Sequence, residues 1–205
     1  MKYILTLGVI IGLQFQAIVA QQTLIIDNKN SNSTITSTTN TIEGITNMML
    51  ELISGDKGAS RDWNTFKSLF LPSAQLMATN IAQDGSYQVS AMSIDEFVTN
   101  IGPVYSRDGF EEYSIGLTVN EFNGIANVFQ SFYCKNLVGT YEKRGINSYQ
   151  LIFKENRWWV ANLLFTNETD KSPLPEKYLT KESQTNKRPK LNVNERKSKF
   201  TPLKP

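Results

Sequence analysis

Two hairpin signals between residues 110 and 166 constrain the fold more than any other feature of the 205-residue chain. Hydrophobic residues recur there at every second position, which is the period of a half-buried β-strand. Asn123-Gly124 interrupts the first stretch, and an Asn-Gly pair between alternating hydrophobic runs is a strong signal for a type I′ turn. Residues 154–157 (Lys-Glu-Asn-Arg) interrupt the second stretch. The sequence therefore predicts a long four-stranded antiparallel meander.

The two turns also predict which side chains face inward, because a turn of fixed length sets the pairing of its strands. In the first hairpin the predicted inward pairs are Val119 with Val128, Leu117 with Gln130, Ile115 with Phe132 and Tyr113 with Cys134. In the second hairpin they are Phe153 with Trp158, Leu151 with Val160, Tyr149 with Asn162 and Asn147 with Leu164. The opposite face then holds an apolar patch made of Phe129, Tyr133, Ile152, Trp159, Leu163 and Phe165. Soluble monomers rarely expose such a patch, so we expect a homodimer that joins two sheets at this outer face.

Three helices are predicted before and between the strands. Residues 42–53 carry apolar side chains at steps of three and four, and Thr41 precedes them as the N-cap. A second helix begins at Ser60, and a third opens with a capping box at Ser93 and ends at Gly102-Pro103. Another hairpin lies between these two helices. This order predicts an α+β fold in which a curved antiparallel sheet wraps around three helices.

Both ends of the chain differ in composition from its centre. Residues 1–20 join a basic start to an apolar run, which is typical of a signal peptide, here cleaved near Ala20; the alternative is a retained membrane anchor. Residues 21–41 form a polar linker. Residues 167–205 contain ten basic and five acidic residues, whereas residues 21–166 contain ten basic and fourteen acidic residues. We therefore expect an exported protein, periplasmic or secreted, whose basic, Pro-containing tail is either solvated and disordered or touches an anionic surface.

The chain has no histidine and one cysteine, Cys134. These two facts exclude a histidine-based catalytic triad, a histidine-ligated metal and a cysteine zinc cluster. The net charge of +2 gives no indication of nucleic-acid binding. No glycine-rich phosphate-binding motif is present either. We therefore expect no cofactor, no metal and no nucleic-acid partner.

Two strings resemble motifs of a known family. Arg61-Asp62-Trp63-x-x-Phe66-x-x-Leu69-Phe70-x-Pro72 resembles the second-helix motif of bacterial SnoaL-like proteins, which are part of the nuclear transport factor 2-like superfamily. Residues 145–151 (Gly-Ile-Asn-Ser-Tyr-Gln-Leu), followed by Arg157-Trp158-Trp159-Val160, resemble the last hairpin of those proteins. The resemblance covers residues 42–166, and it implies a cone whose sheet leaves a pocket at its open end.

With the predicted registers, the resemblance implies a pocket for a small apolar molecule. Its predicted wall consists of Tyr113, Gln130, Cys134, Asn147, Tyr149 and Asn162, and Trp63 and Tyr105 close it from the helices. An apolar cavity with a few convergent polar groups is the usual form of a small-molecule site. The alternative is that the aromatic residues simply fill the core, with their polar tips satisfied by backbone or water.

Catalysis has little support in the sequence. Many enzymes of this superfamily rely on a histidine, which this chain lacks. An isomerase or lyase would need Asp62 as its base together with a pocket tyrosine, but Asp62 also suits the first turn of a helix, where a carboxylate favours the helix dipole. Glu111-Glu112 indicates the solvated start of a strand. The sequence thus predicts an exported, non-catalytic cone that binds a small molecule, with an Asp62-based enzyme as the alternative.

Overall fold

A six-stranded sheet carries the helices on one of its faces. The computed structural model describes residues 34–82 and 84–180. Its elements in chain order are α1 (34–39), α2 (Ile42–Ile53), α3 (Trp63–Ser68), β1 (Gln75–Ile81), β2 (Tyr87–Ser93), α4 (Ile94–Asp108), β3 (Phe110–Phe122), β4 (Ile125–Asn136), β5 (Glu142–Lys154), β6 (Arg157–Asn167) and a 3-10 turn (Glu176–Tyr178). The predicted α+β class is confirmed. Within the described residues, no helix is long and apolar enough to cross a membrane.

The strands lie in the order β2-β1-β6-β5-β4-β3. All neighbours are antiparallel except β1 and β6, which run parallel, so the sheet is mixed rather than wholly antiparallel. Its inner face packs against α2, α3 and α4. Ile45 of α2 and Val128 of β4 are completely buried in this core. The apolar stripes of the helices are covered by the inward rows of the strands, and burial of apolar surface is the main favourable term in folding.

The helix ends follow local signals with two exceptions. The predicted start of the second helix at Ser60 is wrong, because α3 begins at Trp63 and Asp62 is its N-cap, accepting a hydrogen bond from Thr65 N. Thr41 is confirmed as the N-cap of α2, and the capping box at Ser93 is confirmed at the start of α4. The predicted stop at Gly102-Pro103 is wrong, because α4 continues through Pro103 to Asp108. The extra turn brings the Tyr105 ring onto Phe110, with ring centroids 4.0 Å apart. The packing of Tyr105 on Phe110 therefore stabilises the last turn of α4 by more than the lost backbone hydrogen bond of Pro103 destabilises it.

The folded part begins before the predicted start at residue 42. Residues 34–39, expected to lie in the polar linker, are helical. Thr39 is completely buried, and its Oγ1 donates a hydrogen bond to the Ile35 carbonyl at 2.8 Å. Ile35 packs against the core. A mostly polar stretch is thus held by two residues that reach the interior.

A β-bulge in β3 changes the predicted register of the first hairpin. Asn123 and Gly124 have positive φ angles of 45° and 82°, as the type I′ turn requires, and Val119 pairs with Val128 as predicted. Ile115 is an extra residue, so Ser114 rather than Ile115 pairs with Phe132. Beyond the bulge every side chain of β3 changes face. Glu112 therefore pairs with Cys134 on the inner face, where Tyr113 was predicted.

A second bulge lies in β6. Near the turn the prediction is confirmed, because Phe153 pairs with Trp158 and Leu151 pairs with Val160. Ala161 is then the extra residue, and Tyr149 pairs with Leu163 instead of Asn162. As a result Leu163 and Phe165 face inward, and Asn162 turns to the outer face.

Residues 168–180, which we call the C-terminal strap, cross the outer face of β3 and β4. The carboxylate of Glu168 accepts a hydrogen bond of 2.8 Å from Arg144 Nη2. At the far end, Ser131 Oγ donates to the Tyr178 carbonyl at 2.7 Å, and Thr180 N donates to the Ile115 carbonyl at 2.9 Å. The strap therefore covers part of the face on which the dimer was predicted.

Gly116→Ala is expected to displace the strap, because an added Cβ would lie 1.9 Å from the Tyr178 carbonyl oxygen. We expect a loss of about 1–2 kcal/mol in the free energy of unfolding, since backbone must move to relieve such a contact. Urea denaturation and limited proteolysis within residues 168–180 measure both effects. Gly55→Ala is the control, because its Cβ would make only ordinary contact, at 3.5 Å from Arg61. Equal protease sensitivity of the two variants would contradict the prediction.

Candidate functional site

A cavity lies between the helices and the inner face of the sheet. The volume in which the centre of a water molecule fits is about 80 Å³. One water needs roughly 10–15 Å³ by this measure, so the cavity has room for several waters or one small organic molecule. Its apolar wall includes Phe66, Phe97, Phe110, Phe132, Leu163 and Phe165. Its polar lining includes Tyr105, Glu112, Tyr141, Asn147, Tyr149 and Asn167.

Glu112 is the carboxylate of this cavity. Its side chain enters from β3 because the bulge at Ile115 turns it inward, and the residue is only 8% exposed. Asn147 Nδ2, from β5, donates a hydrogen bond to Glu112 Oε1 at 2.8 Å. The prediction that Glu111-Glu112 is a solvated strand start is wrong, because Glu112 is buried and the Glu111 side chain is only 18% exposed. An isolated glycine inside a strand pattern is a signal for a bulge, and Gly116 next to the extra residue is the sequence feature that could have located it.

The surroundings of Glu112 favour its neutral form. Burial raises the pKa of the Glu112 carboxyl to about 7, and the hydrogen bond from Asn147 lowers it only in part. Desolvation disfavours a charged group because the interior cannot replace the water around it. Near neutral pH the carboxyl is therefore present in both protonation states.

A chain of polar side chains extends from α2 toward Glu112. Gln130 Nε2 donates to Asn47 Oδ1 at 3.3 Å, and Gln130 Oε1 accepts a hydrogen bond from the Tyr149 hydroxyl at 3.1 Å. Burial raises the pKa of Tyr149 well above its usual value, and Asn147 beside it lowers this pKa in part. Gln130 lies behind Tyr149 rather than in the cavity wall. The network fixes the orientation of Tyr149 and Asn147, since buried polar groups are held by their hydrogen bonds.

Four of the predicted pocket residues, Tyr105, Cys134, Asn147 and Tyr149, line the cavity. Cys134 lies beside Tyr141, and burial raises the pKa of its thiol to about 12. A thiol with such a pKa is uncharged at neutral pH, and the thiolate is the nucleophilic form. Cys134 therefore acts as a small apolar part of the wall.

The other predicted pocket residues lie elsewhere. Tyr113 is on the outer face, where its ring packs on Tyr133 with centroids 5.1 Å apart. Asn162 is also on the outer side, and its Nδ2 donates to Gln150 Oε1 at 3.2 Å. Trp63 packs on α4 against Phe97 instead of closing the cavity. Both strand errors have one cause, because each residue lies beyond a bulge.

Asp62 does not reach the cavity. It is the N-cap of α3, and its carboxylate accepts hydrogen bonds from Thr65 N at 2.9 Å and from Thr65 Oγ1 at 2.6 Å. The residue is exposed and absent from the cavity lining. The structure therefore contradicts Asp62 as a base acting in the pocket.

Only part of the predicted dimer surface is available on the outer face. Leu163 and Phe165 line the cavity, and Tyr133 is buried. Phe129 packs on Tyr178 of the strap, with ring centroids 5.4 Å apart. Ile152 and Trp159 remain on the outer face, where the Arg157 guanidinium lies 3.4 Å from the centroid of the Trp159 ring.

No group of three acidic or sulfur side chains in residues 34–82 and 84–180 is placed to hold a metal ion.

The comparisons with known proteins concern the fold. No family model and no curated protein matches the chain. Solved structures that are similar include a putative scytalone dehydratase from Novosphingobium aromaticivorans (10% identity, TM-score 0.48, covering 62% of this chain and 82% of that one). A cystatin-like protein of unknown function from Nostoc punctiforme has 8% identity and a TM-score of 0.47, covering 63% of this chain and 90% of that one. A nuclear transport factor 2-like protein of unknown function from Shewanella baltica has 11% identity and a TM-score of 0.41, covering 71% and 97%.

Proposed function

We propose that the protein binds a small, mostly apolar molecule in the cavity, with Glu112 and Asn147 holding its polar group. The observation that carries this proposal is a carboxyl group, 8% exposed, that faces an apolar cavity and accepts, within the described part of the chain, one side-chain hydrogen bond, from Asn147. A buried polar group without enough partners is costly, so it favours a ligand that completes its hydrogen bonds. Apolar walls with a few convergent polar groups are what small-molecule sites share.

A thermal-shift series tests this proposal with compounds of six to ten non-hydrogen atoms. At a concentration 100-fold above Kd a ligand stabilises the folded state by about 2.7 kcal/mol, which corresponds to roughly 2–4 °C for each kcal/mol in a domain of this size. Leu163→Phe fills the cavity and is expected to abolish the shift. Leu164→Phe, on the exposed side of the same strand, is the matched control and is expected to keep it. A shift that persists in Leu163→Phe, or no stabilising compound in the series, would overturn the proposal.

Proton transfer is the second candidate function, with Glu112 in the role first predicted for Asp62. The observation in its favour is the pKa of Glu112 at about 7, since an acid-base group works best when its pKa lies near the working pH. In an isomerase the carboxylate would take a proton from a carbon next to a carbonyl group and return it to the γ-carbon. Cyclohex-3-enone is a probe of suitable size. We expect Glu112→Gln to slow the isomerisation of cyclohex-3-enone about 100-fold. Glu111→Gln is the control, because Glu111 lies outside the cavity, and it is expected to keep the wild-type rate. Equal rates in the two variants would exclude this function.

The homodimer stays a prediction, and the part of the outer face left for it is centred on Ile152 and Trp159. These two residues remain on the outer face beside the half that the strap crosses. Light scattering at micromolar concentration tests the prediction. A monomer in wild type, together with an unchanged mass in Ile152→Lys, would contradict it.

Export and the contact of the basic tail with an anionic surface also stay predictions. The predicted signal peptide (1–20) and the residues after 180 lie outside the described residues. The intact mass of the protein recovered from its own cells tests cleavage near Ala20. Sedimentation with anionic vesicles, with and without residues 181–205, tests the tail.

A further inference from the structure

We infer that the cavity selects a small organic cation, a protonated amine or quaternary ammonium group attached to an apolar body. This inference rests on the proposed function and names the ligand class of the same site. It follows from two features of the cavity wall: an acidic side chain that has no cationic partner among the described lining residues, and a lining rich in aromatic rings.

Among the residues that the structure describes, the cavity wall holds no counter-charge for Glu112. None of these lining residues is a lysine or an arginine. Arg61, from the segment before α3, does not line the cavity, and its guanidinium carbon lies 5.9 Å from the centre of the Tyr105 ring. All three nitrogens of that guanidinium donate to backbone carbonyls, those of Ile53, Ala59 and Gly55, at 2.8–3.0 Å. Three of its five N–H donors are thus used by the backbone, and Arg61 is not among the cavity-lining residues.

The cations on the neighbouring strands are also placed elsewhere. Lys135, on β4, pairs with Glu111 at 3.5 Å. Lys143, on β5 opposite Cys134, is exposed and absent from the cavity wall. The other titratable groups around Glu112 are the hydroxyls of Tyr105, Tyr141 and Tyr149 and the Cys134 thiol, all neutral at pH 7. A buried carboxylate is stabilised when a bound cation supplies the missing partner.

The aromatic rings of the wall favour the same class of ligand. Phe66 and Phe97 are stacked with centroids 5.7 Å apart, and Tyr105 is stacked on Phe110. The face of an aromatic ring carries negative partial charge, so it attracts an ammonium group that has lost its water. An anionic ligand meets the opposite situation, because it would place a second negative charge beside Glu112.

Three molecules of the same shape and different charge test the inference: benzylamine, benzyl alcohol and benzoate. We expect calorimetry at pH 8 to show benzylamine binding at least tenfold more tightly than benzyl alcohol, and benzoate binding weakest. Because the amine binds the ionised carboxyl, its affinity is expected to fall about tenfold between pH 8 and pH 6, on either side of the Glu112 pKa of about 7. Benzyl alcohol is expected to lose no affinity over this range.

Two variants, Glu112→Gln and Glu111→Gln, distinguish binding of the amine at Glu112 from nonspecific attraction between the amine and acidic residues. We expect Glu112→Gln to remove both the preference for the amine and its pH dependence while benzyl alcohol still binds. Glu111→Gln, the adjacent carboxylate on the outer side, is expected to retain both. If the alcohol binds wild type as tightly as the amine, this inference is overturned and the proposed binding function stands. If none of the three binds while another compound of the thermal-shift series does, this inference alone is overturned; if no compound of the series binds either, both are overturned.

Discussion

Glu112→Gln is expected to be more stable than the wild type at pH 8, by about 3 kcal/mol in the free energy of unfolding. The Glu112 carboxyl has its ordinary pKa of 4.5 when exposed and a pKa of about 7 when buried in the fold. Each pKa unit corresponds to about 1.36 kcal/mol between the two protonation states. Ionised Glu112 therefore opposes folding, and glutamine keeps the hydrogen bond from Asn147 without the charge.

The direction of the pH dependence follows from proton binding. Between pH 4.5 and pH 7 the folded protein holds the Glu112 proton and the unfolded chain has lost it, so the unfolding free energy of the wild type falls as the pH rises. The advantage of Glu112→Gln is then absent below pH 4.5 and complete above pH 7. Carboxylates with lowered pKa values, such as Asp108 and Glu168, make the unfolding free energy rise with pH at low pH. Wild type and Glu112→Gln both contain them, so they do not affect the difference between the two proteins.

Urea denaturation of both proteins from pH 4 to pH 8 measures this difference. Glu111→Gln is the control, because Glu111 pairs with Lys135 on the outer side and is expected to show no stabilisation at pH 8. A difference between Glu112→Gln and wild type that stays constant over the whole range would show that Glu112 is not desolvated in the fold.

Gly145→Ala is expected to cause the largest loss of stability, about 3 kcal/mol or more. Gly145 lies on β5 opposite Phe132, and a Cβ there would be 2.1 Å from the Thr166 carbonyl oxygen and 2.5 Å from Phe132 Cζ. The first contact is with the backbone of β6, so it can be relieved only by moving a strand. Since β4, β5 and β6 are neighbours in the sheet, that movement also disturbs the cavity wall.

Urea denaturation measures this loss as well. Ser148→Ala, on the same strand and half-buried, is the matched control and is expected to change stability by no more than about 0.5 kcal/mol. A Gly145→Ala variant within 1 kcal/mol of wild type would mean that Phe132 and β6 can shift freely, roughly as a loosely packed sheet would.

Local signals predicted most of the elements and four residues of the cavity wall, but they missed Glu112. The Asn123-Gly124 turn, the alternation of apolar residues and the capping box at Ser93 all depend on neighbouring residues, and each is confirmed. The face of Glu112 depends instead on one extra residue in the strand, Ile115. Gly116, an isolated glycine next to that extra residue, was a local hint of the bulge.

The second bulge and the course of α4 had no comparable local signal. Ala161 is an ordinary strand residue, and its insertion is decided by how β6 pairs with β5 on one side and with β1 on the other. The local sequence around Pro103 predicts the end of a helix. The helix nevertheless continues to Asp108, because Tyr105 packs on Phe110. Contacts between residues distant in sequence decide such positions, and the cavity itself is a product of those contacts.

The two bulges are also the places where this fold can change length. Ile115 has no partner of its own in the ladder, so a chain that lacks it would keep Gly116 opposite Ser131 and Ser114 opposite Phe132. Glu112 would still point at Asn147. The same holds at Ala161. Homologues should therefore be aligned with single-residue gaps allowed at 115 and 161, because an ungapped alignment would match cavity residues of one protein to surface residues of another.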